Sequence, residues 1–169
     1  MSTRFLPALG CAAVLTSIPP VLGAPATPAE ILARAREAAG GDGWDGVASV
    51  HYTARVTTGG LEGQVEGWDD AVTGRHLETY AIGPVTGADG YDGSTVWSKD
   101  DSGQVRPEEG EDSRLGTANE AYRRCRAYWY PERWPAEMEH AGERTEDDRS
   151  FHVIRIVPDG GRPFQLWID

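Results

Sequence analysis

The chain has few positive charges and few cysteines. Only one of its 16 basic residues, Lys99, is lysine, and 27 acidic residues give a formal net charge of −11 at pH 7. Because nucleic acids and anionic membrane surfaces repel an acidic surface, this composition argues against electrostatic nucleic-acid binding. Of the two cysteines, Cys11 lies in a segment that we expect to be removed, so Cys125 has no disulfide partner and stability must come from packing. We expect Cys125 to be a small buried residue on a helix.

Motifs for catalysis and metal binding are also missing. The sequence contains no glycine-rich phosphate loop, nucleophile elbow or marked Ser/His/Asp set. The four histidines do not form an HExxH motif or a comparable ligand spacing. The acidic cluster at 108–112 is typical of a solvated loop. The sequence therefore predicts no cofactor, no metal site and no enzyme activity.

Two short segments match functional motifs only superficially. Asp101-Ser102-Gly103 fits the Asp-Ser/Thr-Gly of aspartic proteases, but polar residues 98–100 precede it, where such enzymes have an apolar strand that buries the aspartate. The segment predicts a surface turn. Residues 40–47 fit one copy of a calcium-binding nonapeptide, which works only as stacked repeats. They predict a helix cap followed by a turn.

The first 26 residues have the order of a secretory signal peptide. A short start with one arginine precedes a mostly apolar run, Phe5 to Leu22, which lacks acidic and basic residues and is followed by small residues. We expect cleavage after Ala26, with Gly23 as the second choice. Prolines interrupt the run and argue against a membrane anchor. The sequence predicts a periplasmic or secreted protein without stable membrane insertion, with one domain over 27–169.

Helical periodicity marks two segments. Thr27 and Glu30 have capping-box spacing, with Pro28 at the first helical position, and Gly40-Gly41 closes the segment. Apolar and aromatic residues recur every three to four positions over 115–129, until Pro131 stops the pattern.

Strand alternation is clearest in residues 47–57. One face of this segment is apolar and the other polar, which is typical of a half-buried strand. The apolar face carries Ala48, Val50, Tyr52, Ala54 and Val56. Further strands are predicted at 61–68, 75–82, 85–86, 95–98, 104–106, 150–157 and 163–169.

Glycines punctuate the predicted sheet. Gly87, Gly90, Gly93 and Gly103 are interpreted as separators of short strands, 143–149 as a charged loop that follows His140, and 158–161 as a hairpin turn. The pattern predicts an α+β fold in which a curved antiparallel sheet packs on two helices. Because Phe164 to Asp169 continues a strand pattern to the last residue, we expect a domain truncated at its carboxyl end.

Four blocks of the sequence resemble a known family. They are AREAAGGDGWDGVASVHY (35–52), YDGSTVWSKDDSGQV (91–105), NEAYRRCRAYWYPERWP (119–135) and GRPFQLWID (161–169). They are similar to the amino-terminal domain of exported bacterial proteins whose carboxyl-terminal part is a retropepsin-like aspartyl protease. That domain resembles the lipoprotein-carrier (LolA-like) half-barrel. The resemblance implies fold and export but not proteolysis, because the protease module would lie beyond Asp169, and no ligand-contacting residue of the carrier is transferred.

Two functional hypotheses follow. The first is a non-catalytic module that holds a lipid or apolar peptide between the sheet and an aromatic helix. Its predicted ligand-binding residues are Val50, Tyr52, Val56, Trp97, Tyr122 and Trp129. The second is an accessory or pro-domain of a secreted aspartyl protease family protein, with no ligand of its own. Core packing between helix and sheet is the more ordinary explanation of the aromatic residues.

Overall fold

A computed structural model describes residues 26–169, and the predicted signal peptide lies almost wholly outside them. The fold is α+β, which confirms the predicted class. The helices are α1 (Pro28–Ala38) and α2 (Glu111–Arg124), with a 3₁₀ turn at Gly41–Trp44. The nine strands are β1 (Ser49–Thr58), β2 (Leu61–Asp70), β3 (His76–Ile82), β4 (Val85–Tyr91), β5 (Val96–Lys99), β6 (Val105–Pro107), β7 (Ala136–Glu146), β8 (Arg149–Pro158) and β9 (Phe164–Ile168). No helix within 26–169 is both long and apolar enough to span a bilayer.

The strands form two sheets instead of one. β1 to β6 make a six-stranded antiparallel meander in chain order, and β7 to β9 make a three-stranded antiparallel sheet. Within the described residues β6 and β7 are not paired, and along the chain α2 and residues 125–135 separate them. The expectation of a single curved sheet is therefore replaced by a large sheet and a small sheet.

Helix α1 begins as its sequence predicts. Thr27 Oγ1 accepts a hydrogen bond from the Glu30 N–H at 3.3 Å, and Glu30 Oε2 accepts one from the Thr27 N–H at 2.8 Å. This reciprocal capping box satisfies two N–H groups that would otherwise lack partners. The helix ends before Gly40, whose φ of 122° is a conformation that favours glycine.

Strand β4 contradicts the interpretation of its glycines as separators. Gly87 and Gly90 lie inside the strand, where aromatic side chains of neighbouring strands cross them. A Cβ atom would lie 2.3 Å from the Tyr80 hydroxyl oxygen at Gly87 and 2.5 Å from Trp97 Cζ2 at Gly90. These glycines are required for close approach across the sheet, which no local pattern in the sequence indicates.

The loop predicted at 143–149 is also wrong. β7 continues to Glu146, β8 begins at Arg149, and a two-residue turn joins the two strands. The turn residues Asp147 and Asp148 have φ of 49° and 60°, as in the type I′ turns of tight hairpins. His140, expected in a loop, lies within β7. The strand was missed because its turn lacks glycine and its residues are mostly charged.

The hydrophobic core lies between the two helices and the inner face of the small sheet. Its fully buried members are Ile31, Leu32, Tyr122, Cys125, Ala127, Ile154 and Ile156. Burial of Cys125 at the end of α2 confirms the prediction for it. The β1 face that was expected to be buried is instead only half-buried at Val50, Tyr52 and Val56, because the core forms against β8.

Helix α2 is shifted relative to its prediction. It runs from Glu111 to Arg124 instead of 115–129, and the chain then turns sharply at Arg126, which has a φ of 53°. The aromatic residues 128–130 continue the helical spacing in sequence but form turns in the structure. Their burial against the core explains the apolar periodicity without a helix.

Candidate functional site

A groove of about 650 Å³ lies between α1, the segment after α2 and the start of β7. We call it the α1 groove. Leu32, Tyr128, Trp129, Ala136 and Met138 form its apolar walls. Arg36 and Glu37 lie at its rim.

The indole of Trp129 is held in place by its neighbours. The Tyr128 ring meets it edge-on at a centroid distance of 5.2 Å, and the Trp44 ring lies 6.0 Å away. Trp44 is fixed in turn, because its Nε1 donates to the Ala39 carbonyl at 2.9 Å and the Arg126 guanidinium covers its ring at 4.3 Å. This aromatic wall is therefore formed before any ligand arrives.

The positive charge at the rim, on Arg36, is paired within the protein. Arg36 pairs with Asp45, whose carboxylate also accepts a hydrogen bond from the Tyr130 hydroxyl at 2.8 Å. The Tyr130 hydroxyl and the Arg36 guanidinium hold the pKa of Asp45 below its usual value. Because Arg36 is engaged, the rim does not present an unpaired cation to an anionic ligand. The groove therefore offers mainly apolar contact.

The structure separates the predicted site residues. Trp129 lines the α1 groove, whereas Val50, Tyr52 and Val56 share one face of β1 in the large sheet. Residues paired across an antiparallel ladder project to the same face. Tyr52 pairs with Gly67, which pairs with Glu78, so these three share a face.

Trp97 projects from the other face. It pairs with Gly90, Gly90 with Leu77, and Leu77 with Trp68, which opposes His51 rather than Tyr52. Because adjacent residues of a strand point to opposite faces, Trp97 and Tyr52 lie on opposite sides of the large sheet. The expectation that Trp97 belongs to the same apolar face as Tyr52 is therefore wrong.

Tyr122 lies inside the core rather than on a cavity wall. It is 0% exposed, and its ring packs edge-on against Phe164 at 6.0 Å. Burial raises the pKa of its hydroxyl, which has no hydrogen-bond partner among the described residues. Tyr122 therefore packs α2 against the core and does not line the wall of the α1 groove.

Tyr52 joins a polar cluster that connects α2 to the large sheet. Its hydroxyl donates to Glu78 Oε2 at 2.6 Å and accepts from Arg124 Nη1 at 3.3 Å. Arg124 also pairs with three carboxylates, namely Asp69, Glu120 at 2.9 Å and Glu78 at 3.7 Å. Partial burial, followed by the hydrogen bond to Glu78, raises the pKa of Tyr52. One guanidinium thus serves three carboxylates, which makes this cluster a structural junction.

Sequence reasoning missed most of the walls of the α1 groove. Leu32 carried a clear signal as part of the apolar face of α1, but Met138 lies in the strand that was not predicted. Tyr128 was noted only as part of an aromatic helix. The groove depends on the tertiary crossing of α1 over β7, and local periodicity does not contain that information.

Comparison with known proteins leaves the family undetermined. No family model, curated protein or solved structure matches this chain. The resemblance to the LolA-like domain therefore depends on the sequence blocks alone.

Proposed function

We propose that this protein is an exported, non-catalytic module that binds a lipid-like or apolar ligand in the α1 groove. In this proposal the domain is a LolA-like half-barrel that works in the periplasm or outside the cell. The observation that carries the proposal is the groove itself. Its volume of about 650 Å³ lies within the range of about 300–1,000 Å³ that is usual for small-molecule sites.

The lining of the groove supports an apolar occupant. Trp129 supplies a large rigid surface, and Met138 supplies a flexible side chain that adapts to irregular apolar shapes. Both are half-buried, so part of their apolar surface remains in water when the groove is empty. Covering that surface with a ligand is favourable by roughly 25 cal/mol per Å².

The polar rim supports an extended ligand with its head group outside. Exposed Glu37 and half-buried Arg36 line the groove from the second half of α1, where the Arg36–Asp45 pair is located. An acyl chain or an apolar peptide side chain would lie along Leu32 and Met138 while its polar end stays hydrated. This arrangement avoids the cost of burying an unpaired polar group.

A groove-filling variant tests the proposal. Ala33 lines the groove and is exposed, so Ala33→Trp fills it without disturbing the core. We expect the purified wild-type chain to bind a dansylated undecanoic acid probe, and Ala33→Trp to weaken binding at least about tenfold. The matched control is Ala38→Trp, an exposed position on the same helix outside the groove.

Native mass spectrometry of the exported protein provides a second test. A retained apolar ligand that Ala33→Trp excludes would support the proposal. A ligand-free wild-type protein that also fails to bind the probe would contradict the proposal. That result would favour the alternative, an accessory domain without a ligand.

A further inference from the structure

A second groove, of about 420 Å³, lies at one end of the large sheet. We call it the tryptophan cleft. Trp68 on β2 and Trp97 on β5 form its walls, and Leu77 on β3 forms its floor. Asp70, Arg75 and Asp92 surround its polar end. This cleft is separate from the α1 groove, with which it shares no residue.

The two tryptophan walls are close enough to hold one ring-sized ligand. The Trp97 side chain crosses Gly90 of β4, which brings its ring one strand nearer to Trp68. β2 and β4 are two strand spacings apart, or about 10 Å. On the other side, His51 stacks on Trp68 with ring centroids 5.0 Å apart and planes 12° apart. Trp68 is thereby oriented, and it remains 39% exposed.

The indole N–H groups of Trp68 and Trp97 have no protein acceptor among the described residues. Trp44, Trp134 and Trp167 donate to protein oxygens. Within residues 26–169, Trp68 and Trp97 donate no such hydrogen bond, nor does Trp129 of the α1 groove. The cleft therefore combines apolar ring faces with unused donors, which suits a ligand that has an apolar face and polar edges.

The charges around the cleft exclude an anionic ligand. Its cation, Arg75, is paired with Asp70 at 3.1 Å, and Asp92 adds a further carboxylate. The net charge of −11 increases the repulsion of anions. Carboxylate oxygens accept hydrogen bonds from hydroxyl groups, and the remaining N–H groups of Arg75 donate to hydroxyl oxygens. The complementary ligand is therefore neutral and rich in hydroxyl groups.

We propose that the tryptophan cleft binds a neutral oligosaccharide. A pyranose ring presents C–H groups on its faces and hydroxyl groups around its edge. One sugar unit stacks on the Trp68 indole beside Trp97, and its hydroxyl groups bond to Asp92 and Arg75. Neighbouring units extend along the exposed sheet face. This site is a second binding function, independent of the α1 groove.

The test uses the wild-type chain with three neutral probes, namely chitohexaose, cellohexaose and maltohexaose. We expect isothermal titration calorimetry to detect binding of at least one probe at concentrations up to about 10 mM. Trp68→Ala and Trp97→Ala should each weaken that binding at least about tenfold, and Trp68→Phe, which keeps an aromatic ring and removes the N–H, should weaken it less. The matched control is Trp167→Ala, which should not change binding, because Trp167 is also an exposed strand tryptophan but lies in β9 and does not line the cleft.

Three results would overturn the proposal: failure of all three probes to bind, binding that survives both alanine variants, or equal weakening by Trp167→Ala. Sedimentation velocity tests the remaining alternative, that a second copy of the chain occupies the cleft. A wild-type dimer that Trp68→Ala dissociates would show that a second copy of the chain covers the cleft. Trp68→Phe keeps the test decisive if an alanine variant does not fold, which circular dichroism would reveal. Unchanged binding of the dansylated probe by the tryptophan variants would separate this site from the α1 groove.

Discussion

At the residue scale, glycines determine where aromatic side chains lie on the large sheet. The ring of Tyr52 lies over Gly67, where a Cβ atom would approach the ring carbon Cζ to 2.2 Å. That position also lets the Tyr52 hydroxyl reach Glu78 and Arg124. Because Gly67 has no side chain, the Tyr52 ring can cross β2 and link β1 to Glu78 on β3.

Replacing Gly67 should disrupt this arrangement. We expect Gly67→Ala to lower the free energy of unfolding by about 1–3 kcal/mol, because the added methyl group displaces the Tyr52 ring. Gly116 is the matched control, since it lies in α2 and an added methyl group there would meet no atom within 4 Å, and Gly116→Ala should stabilise the protein by about 0.5–1 kcal/mol. Urea denaturation measures both. Stabilisation by both variants would show that Tyr52 moves without cost.

Asp70 makes stability depend on pH. Partial burial raises its pKa, but the N–H groups of Thr73 and Val72 donate to Oδ1 at 2.9 Å, and the net effect lowers the pKa to about 2. In the unfolded chain the pKa is about 3.9. The ionised carboxylate therefore stabilises the fold above about pH 4, and this contribution is lost as the pH falls to about 2.

Asp70→Asn tests that dependence. The variant should lose about 1–2 kcal/mol of unfolding free energy at pH 7, a value that allows for solvent screening of this partly exposed group. The difference from wild type should shrink below pH 4 and disappear near pH 2, as followed by denaturation across that range. Asp101→Asn, in an exposed turn, serves as the control. A constant difference at every pH would contradict the assignment.

At the element scale, the sequence predicted what local chemistry determines. The capping box of Thr27 and Glu30 placed the start of α1 correctly, and alternation gave the correct parity of β1. Elements that depend on distant partners were misjudged. Gly87 and Gly90 leave room for the side chains of Tyr80 and Trp97 on neighbouring strands. Their role therefore cannot be predicted from the local sequence.

The candidate sites show the same division. Trp129 was identified from aromatic content, but the groove it lines requires α1 to cross β7. Alternation along one strand predicts which of its residues share a face. It does not predict which residues of β1 and β5 share a face of the sheet, because that depends on the pairing register of the strands between them. Trp97 was therefore assigned to the wrong side of the sheet.

The β7–β8 turn is a position where the sequence can be improved. Asp147 and Asp148 both adopt positive φ, and Asn-Gly is better suited to a type I′ turn. We expect the double variant Asp147→Asn/Asp148→Gly to raise the free energy of unfolding by about 1 kcal/mol. Thermal melting checks this. The same change at Asp100 and Asp101, in a turn without positive φ at either residue, should bring no gain.

Arg124 connects α2 to the large sheet. Its side chain is 15% exposed and pairs with Asp69, which is 12% exposed. We expect Arg124→Met to cost about 3 kcal/mol of unfolding free energy, because it leaves the largely buried carboxylate of Asp69 without a cation. Arg123→Met, which removes an exposed pair with Glu120 on the same turn, should cost under about 1 kcal/mol. Equal losses in urea denaturation would mean that the cluster adds nothing specific.

At the scale of the whole molecule, burial is unevenly distributed. The core involves both helices and the small sheet, with Ile154 and Ile156 of β8 fully buried. The large sheet has one buried hydrophobic residue within its strands, Ala88, among the described residues. The short strand β6 lies at its edge, with every residue exposed. The two sheets should therefore differ in local stability.

Hydrogen exchange should resolve this difference. We expect the amides of β8 around Ile154 to exchange most slowly and those of β5 and β6 to exchange first, because β8 is paired on both sides within the core. Exchange measured by mass spectrometry on peptides from 96–107 and 150–157 checks the order. Similar protection of the two peptides would indicate one uniformly cooperative unit.

The burial of Cys125 makes its thiol a reporter of how often the core opens. From Thr27 onward it is the sole sulfhydryl of the chain, it is 0% exposed, and burial raises its pKa. A disulfide reagent can attack it only while the surrounding side chains are parted. The rate at which the reagent modifies Cys125 in native buffer therefore measures how often the protein opens. The measurement needs no added label and no denaturant.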